Sequence, residues 1–360
     1  MRWVQSVWLG VLAALLVACQ PAPPSPSPTF PTPSIGEQIR DRYERALPGL
    51  SPNKRRHYAT RLYRITGDPD YLPIIYQDLI GNADFLQQEL SQLHNRDYRL
   101  SRARQIAHAY RDDTGKHQRR KQLLLAYDEI PFAKNLLYYL NKVDQFGLAG
   151  KPPFTRTEQG LDYLRQVDFA RFILDPDVIA AYSPQLANMV YYLHDLGIRD
   201  LREPFQQAFR QVFPDQPPQP GPALDAQVYG MTHVIIAASG YYQKPIRRED
   251  FAWIFDYLER HHRDLIAYTK PDIYTEMALC FLLAGEGDSP VIGAVSEALE
   301  KRYDPQAEMI PSPHWGTDLN KGEHRNVLAI MLYHWPSRLH PGPDLSHYPA
   351  YRQRFAEPAQ

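Results

Sequence analysis

The chain has 360 residues, 44% hydrophobic and 12% aromatic, which supplies a core for one large domain or two. Its 40 Lys and Arg are offset by 41 Asp and Glu. That balance gives no positive field to recruit nucleic acid, and no DNA- or RNA-binding signature is present, so no nucleic-acid partner is expected.

At the amino terminus, Arg2 precedes an apolar stretch, Trp3 to Ala18, broken only by Gln5, Ser6 and Gly10. The stretch is shorter than the roughly 20 residues a helix needs to span a bilayer, and residues 1–18 are expected to be an export signal. It ends in Leu16-Val17-Ala18-Cys19, which resembles the lipobox of bacterial lipoproteins. The resemblance implies that Cys19 carries the lipid and becomes the mature N-terminus. Such anchors carry several acyl chains, palmitate among them, where a single chain would hold only marginally. The competing expectation is an ordinary secretory signal that happens to contain a cysteine.

Residues 19–34 are then the lipidated cysteine and a tether, because the proline-rich run from Pro21 to Ser34 can bury nothing. Extended at about 3.1 Å per residue, it holds a domain on the order of 40 Å from its anchor. In Gram-negative lipoproteins an aspartate after the cysteine favours the inner membrane, so Gln20 points by resemblance to the periplasmic face of the outer membrane. The expected partners are the membrane, through the lipid, and a glycan or envelope protein. With Cys19 lipidated, Cys280 is left alone in the apolar run Met277 to Ala284, where a small buried hydrophobe is expected rather than a nucleophile.

From residue 35 to 345 helix signals run almost unbroken, with Pro, Gly and Asp as punctuation and no sheet-like alternation, so the domain is expected to be all-α. His57 to Gly67 and Asp70 to Leu79 form a helix, a turn and a helix. A basic run follows from Arg96 to Lys121, with Arg99, Arg102, Arg104, Arg111, Arg119 and Arg120. A solvated helix face is expected there, with a membrane surface or anionic glycan as the alternative contact. Asn135 to Leu140 matches Asn188 to Leu193 at an offset of 53, and Tyr229 and Gly240 match Tyr274 and Gly285 at an offset of 45.

Segments 231–238, 277–284 and 327–332 are apolar on every side and belong inside, whereas 201–212, 251–258 and 290–303 are amphipathic and belong outside. Pro214 to Pro222 is expected as a long loop between helix pairs, and a last inner helix runs from about Gly322 to Tyr333. Repeated antiparallel helix pairs of this kind build either an open solenoid or a closed (α/α) toroid. The strongly apolar inner helices and variable repeat length favour the toroid, at least partly closed, with residues 346–360 as a C-terminal tail.

In a toroid the inner helix ends surround a funnel. His233, Glu276 and His324 are expected in the first turns of three inner helices, spaced 43 and 48 residues apart in step with the repeat. A carboxyl and an imidazole brought together there could act as acid and base. Tyr229, Tyr274 and Trp315 offer ligand surfaces, Asp272 stands at a helix start, and Arg325 could meet an anionic group. Core packing and helix capping would explain the same residues without a ligand. Residues 313–326, PHWGTDLNKGEHRN, form the most motif-like stretch, but they match no His-Glu-x-x-His or cysteine-based zinc pattern. Phosphate-loop, dinucleotide and nucleophile-elbow fingerprints are missing too, so neither metal nor cofactor is expected.

The stretches YGMTHVIIAASGYY, DIYTEMALCFLLAGE and GEHRNVLAIMLYHW, between Tyr229 and Trp335, resemble an uncharacterised bacterial family known only as a domain of unknown function. That resemblance implies no activity. Inner-helix His and Glu are also similar in general pattern to the α/α toroids of polysaccharide lyases and glycoside hydrolases, whose specific motifs are missing here. Two expectations follow: an envelope lipoprotein that binds a partner or glycan, and a periplasmic glycan-active lyase or hydrolase using Glu276 and His324 as acid and base.

Overall fold

The computed structural model describes residues 34–355; the expected export signal, Cys19 and the expected tether through Pro33 lie outside the described residues. Ser34 starts the fold. Its hydroxyl accepts from the Glu37 N–H at 3.2 Å while its own N–H donates to the Glu37 carboxylate at 2.6 Å, a capping box that opens α1 (Ile35–Ala46). The helices that follow are α2 (Pro52–Thr66), α3 (Leu72–Gly81), α4 (Ala83–Ser91), α5 (Arg96–His108), α6 (Gly115–Leu125), α7 (Ile130–Gln145), α8 (Thr157–Gln166) and α9 (Phe169–Ile173). Next come α10 (Pro176–Asp195), α11 (Arg202–Val212), α12 (Pro222–Ala238), α13 (Ala252–Tyr268), α14 (Pro271–Leu283), α15 (Pro290–Arg302), α16 (Leu319–Tyr333) and α17 (Pro349–Phe355). Several start on a proline, whose missing N–H costs nothing in a first turn. Among the described residues the chain is all-α, with no strand beyond one isolated bridge, Asp304 to Met309.

Hydropathy sorts these helices. α12, α14 and α16 are buried on nearly every side, while α11, α13 and α15 bury one stripe and expose a charged face. α7 packs on α10, α10 on α12, α12 on α14 and α14 on α16, and α16 also packs on α2 and α1. The outer helices lie on this series, α11 against α10, and α13 and α15 against α14. Gly230 lets α10 and α12 approach closely, since a Cβ there would overlap the Phe209 ring and crowd Ser183. No described helix is long and apolar enough to cross a membrane.

Two expectations are corrected. Residues 346–355, the described part of the segment expected as a tail, are docked instead: Tyr351 is buried, and its hydroxyl donates to the Pro152 carbonyl at 2.7 Å. The basic run is also not one solvated face. Arg99, Arg102, Arg119 and Lys121 are paired with Glu129, Glu89, Asp177 and Asp112, but Arg120 is buried and donates to the Ala181 carbonyl at 2.7 Å.

Candidate functional site

Glu276, on α14, lies between two imidazoles. Its Oε1 is 3.6 Å from Nε2 of His233 on α12 and 3.4 Å from Nε2 of His324 on α16, and its Oε2 accepts from the Thr232 hydroxyl at 2.8 Å. Burial alone would raise this carboxyl, but His233 and then His324 outweigh it and hold it well below the usual carboxylate range. Glu276 is therefore ionised at neutral pH. Only 1% of its side chain is exposed, so the imidazoles, not the carboxylate, face the open space. Glu276 is a buried counter-charge to the two imidazoles. His233 also sits several turns into α12 rather than at its start, with Nδ1 2.9 Å from Asn188 Oδ1 on α10.

A third imidazole joins them. His57, on α2, has its ring centroid 5.2 Å from that of His324, and its Nδ1 lies 2.6 Å from Oε1 of Glu323. Burial and the neighbouring Arg61 push His57 well below the ordinary histidine value, so it is neutral at pH 7.

The three histidines line a cleft of about 450 Å³ between α2, α6, α7, α10, α12 and α16. Its walls carry Arg56, Arg61, Arg64, Lys116, Arg120 and Lys142, and no carboxylate. Arg56 and Lys142 share Asp78 behind the wall, each at 3.2 Å. Arg61, Arg64, Lys116 and Arg120 form no ion pair among the described residues. Arg64 is only 3% exposed, and its guanidinium is pushed down to about 9, by burial first and by Arg61 next. An unpaired buried charge of this kind costs several kcal/mol.

Hydrogen bonds around Arg64 fix the donors and acceptors along one wall. Arg64 can only donate, so Gln145 must turn its carbonyl oxygen to Nη2, 3.3 Å away. The Gln145 amide nitrogen then donates to Asn141 Oδ1 at 3.0 Å. Asn141, 2% exposed, is left with a buried Nδ2 that has no partner. The wall thus ends in a donor awaiting an acceptor. Arg64 Nη1 also donates, at 2.7 Å, to the carbonyl of Tyr241, which has a left-handed backbone at φ 60° and places its hydroxyl 2.9 Å from that of Tyr192. Burial raises both phenols, Tyr192 to about 12, so both are neutral hydrogen-bonding groups.

The other expected ligand residues divide. Tyr229 lines the cleft and donates its hydroxyl to Asp272, which occupies the second position of α14 rather than its cap. Tyr274 and Trp315 line a different depression. Arg325 is buried and spent on the Ile310 carbonyl at 2.9 Å, so it is not available to a ligand. Cys280 is fully buried, and its thiol is pushed up by that burial.

The sequence reasoning missed the whole α2 and α7 contribution. A signal exists on α7, where Tyr138, Asn141 and Gln145 follow i, i+3, i+7 as a narrow polar stripe on a largely apolar helix; His57, Arg61 and Arg64 follow i, i+4, i+7 on α2, but that helix is charged over most of its length.

A family model described as a domain of unknown function (DUF3541) matches residues 33–357, and the chain belongs to that family. No curated protein and no solved structure matches it.

Proposed function

We propose that this chain is a bacterial envelope lipoprotein, held through a lipid on Cys19 at the periplasmic face of the outer membrane, whose helices form a toroid-like ring that binds an acidic glycan in the basic cleft. The lipobox and proline-rich tether support the address. The observation that carries the binding role is the cleft itself: six cations, no lining carboxylate, and an orphaned buried donor at Asn141. Anionic oxygens would supply both the missing counter-charge and the missing acceptor.

Titration calorimetry with polygalacturonate, dextran sulfate and neutral dextran tests this. Both polyanions should bind and neutral dextran should not; equal binding of all three, or of none, overturns it. Asn141→Asp sharpens the test, because it removes the free donor and sets a negative charge in the Arg64 relay. Affinity should collapse while the thermal midpoint holds or rises. For the anchor, Cys19→Ala should abolish incorporation of labelled fatty acid.

A second role, as an enzyme, is favoured by one observation: every imidazole in the cleft is backed by a buried carboxylate. His57, neutral and held at Nδ1 by Glu323, would keep Nε2 to take a proton, and His324 beside it would be the acid. Glu276 would then be a positioning residue. Release of reducing ends from polygalacturonate, lost by on the order of 10²–10⁴-fold in His57→Gln, is the expected result. Binding without any turnover would leave the protein a binder.

A further inference from the structure

Among the described residues three large hydrophobic side chains stand exposed, and two of them, Trp315 at 62% and Tyr268 at 43%, line one cleft of about 650 Å³. We propose that this cleft is a distal subsite, in which Trp315 and Tyr268 stack on sugar rings of the same acidic glycan whose charged groups fill the basic cleft. The inference rests on the glycan-binding reading above.

The Trp315 ring is held out deliberately. Its backbone is left-handed at φ 60°, a conformation that costs free energy for a bulky residue and persists only where the surroundings impose it. A closed loop imposes it here. The Trp315 N–H donates to the Ser312 carbonyl at 2.9 Å, the Gly316 N–H to the Ser312 hydroxyl at 2.9 Å, and the Ser312 N–H to the Gly316 carbonyl at 2.9 Å. Nothing in the core gains from this arrangement, since the ring stays mostly in solvent.

Charge selects the same ligand. The Arg302 guanidinium lies 5.1 Å from the Trp315 ring centroid and donates to the Ser312 carbonyl at 2.6 Å. It forms no ion pair among the described residues, and its Nε is buried without a partner. A flat aromatic ring backed by an uncompensated cation fits a pyranose that offers an apolar face and anionic edges.

One helix also contributes to both clefts. Asp225, Tyr229 and His233 follow i, i+4, i+8 on α12; Asp225 lines the aromatic cleft, and the other two line the basic one. Eight residues rise on the order of 12 Å along that face, longer than a single sugar unit. Lys270 holds Asp225 at 2.9 Å, and Tyr229 donates to Asp272, so the ground between has its polar groups satisfied.

Chain length is therefore the readout. With the full protein and calorimetry, a long oligogalacturonide should bind about tenfold more tightly than a galacturonate dimer. Trp315→Ala should remove that advantage and leave dimer affinity unchanged, and Trp315→Phe should restore part of it. Dimer binding with no length advantage, or an advantage that survives Trp315→Ala, overturns the subsite while the basic-cleft reading stands. If neither length binds the wild type, both fall together.

Discussion

Nδ1 of His57 and Oε1 of Glu323 meet at 2.6 Å, joining α2, early in the chain, to α16, the last inner helix. Glu323 is fully buried, its second oxygen 3.3 Å from Lys54 Nζ, and burial raises its carboxyl above the ordinary value. His57 shifts the other way, down, through burial first and then through Arg61, His324, Arg56 and Lys54 around it.

The pH dependence of stability follows from those directions. His57 has a lower pKa folded than its ordinary 6.5, so the unfolded chain takes the proton first. Its contribution is complete above that value and is lost as pH falls through it, at about 1.4 kcal/mol per pH unit. Glu323 works oppositely: its raised pKa favours the folded state in acid and loses that advantage as pH rises past 4.5. Between pH 7.5 and 5.5 the His57 contribution should make the thermal midpoint fall on acidification, and His57→Gln should flatten the slope. Identical slopes in the two proteins would remove His57 as the cause.

Glu276 yields a second prediction. It accepts one hydroxyl hydrogen bond and faces two imidazoles, so Glu276→Gln keeps the shape and deletes only the charge. Loss of charge-assisted contacts should destabilise by about 1.5–3 kcal/mol in denaturant unfolding. The wild-type contribution is present above pH 4.5 and disappears as pH falls below it, because the folded value is depressed. A variant as stable as wild type at pH 7 would mean that the imidazoles do not depend on this carboxylate.

Much of this arrangement was legible in the sequence, for a physical reason. Burial on all sides leaves an unmistakable apolar run, so α12, α14 and α16 stood out, and so did the few polar residues within them. His233, Glu276 and His324 were recognisable because an apolar helix makes each one conspicuous. The cations of α2 were not, since α2 is as charged as a surface helix and only its neighbours show which face is enclosed. The 53-residue match does not carry facing either. Tyr138 and Tyr192 line the cleft, yet the 53-residue offset pairs them with Tyr191 and Tyr139, which do not. Arg325 looked free only because the Ile310 carbonyl it bonds belongs to a loop with no signature of its own.

Gly230 makes the contact between α10 and α12 testable. Alanine is the better helix former by about 1 kcal/mol, so propensity alone predicts that Gly230→Ala stabilises. The added methyl would meet the Phe209 ring, itself fixed among Phe205, Phe213 and Trp253, and Ser183 on α10. Overpacking of that kind costs about 1–3 kcal/mol, enough to reverse the sign. A lowered midpoint is expected; a raised one would show that Phe209 can move aside.

Arg64 offers a test that needs no glycan. The native state holds this charge buried without a carboxylate, and inorganic sulfate should relieve the cost by binding folded protein alone. Added sulfate should raise the thermal midpoint more than chloride at equal ionic strength, reaching about 2.7 kcal/mol at a hundred times the dissociation constant. Arg61→Gln should lower the response without unfolding the protein, because Arg61 lines the cleft and forms no ion pair that the substitution would break. Sulfate also strengthens burial generally by exclusion from protein surface, and that effect would persist in the variant. The difference between the two proteins is therefore the quantity that measures the site, and a zero difference would mean that the cations of the cleft do not act together on an anion.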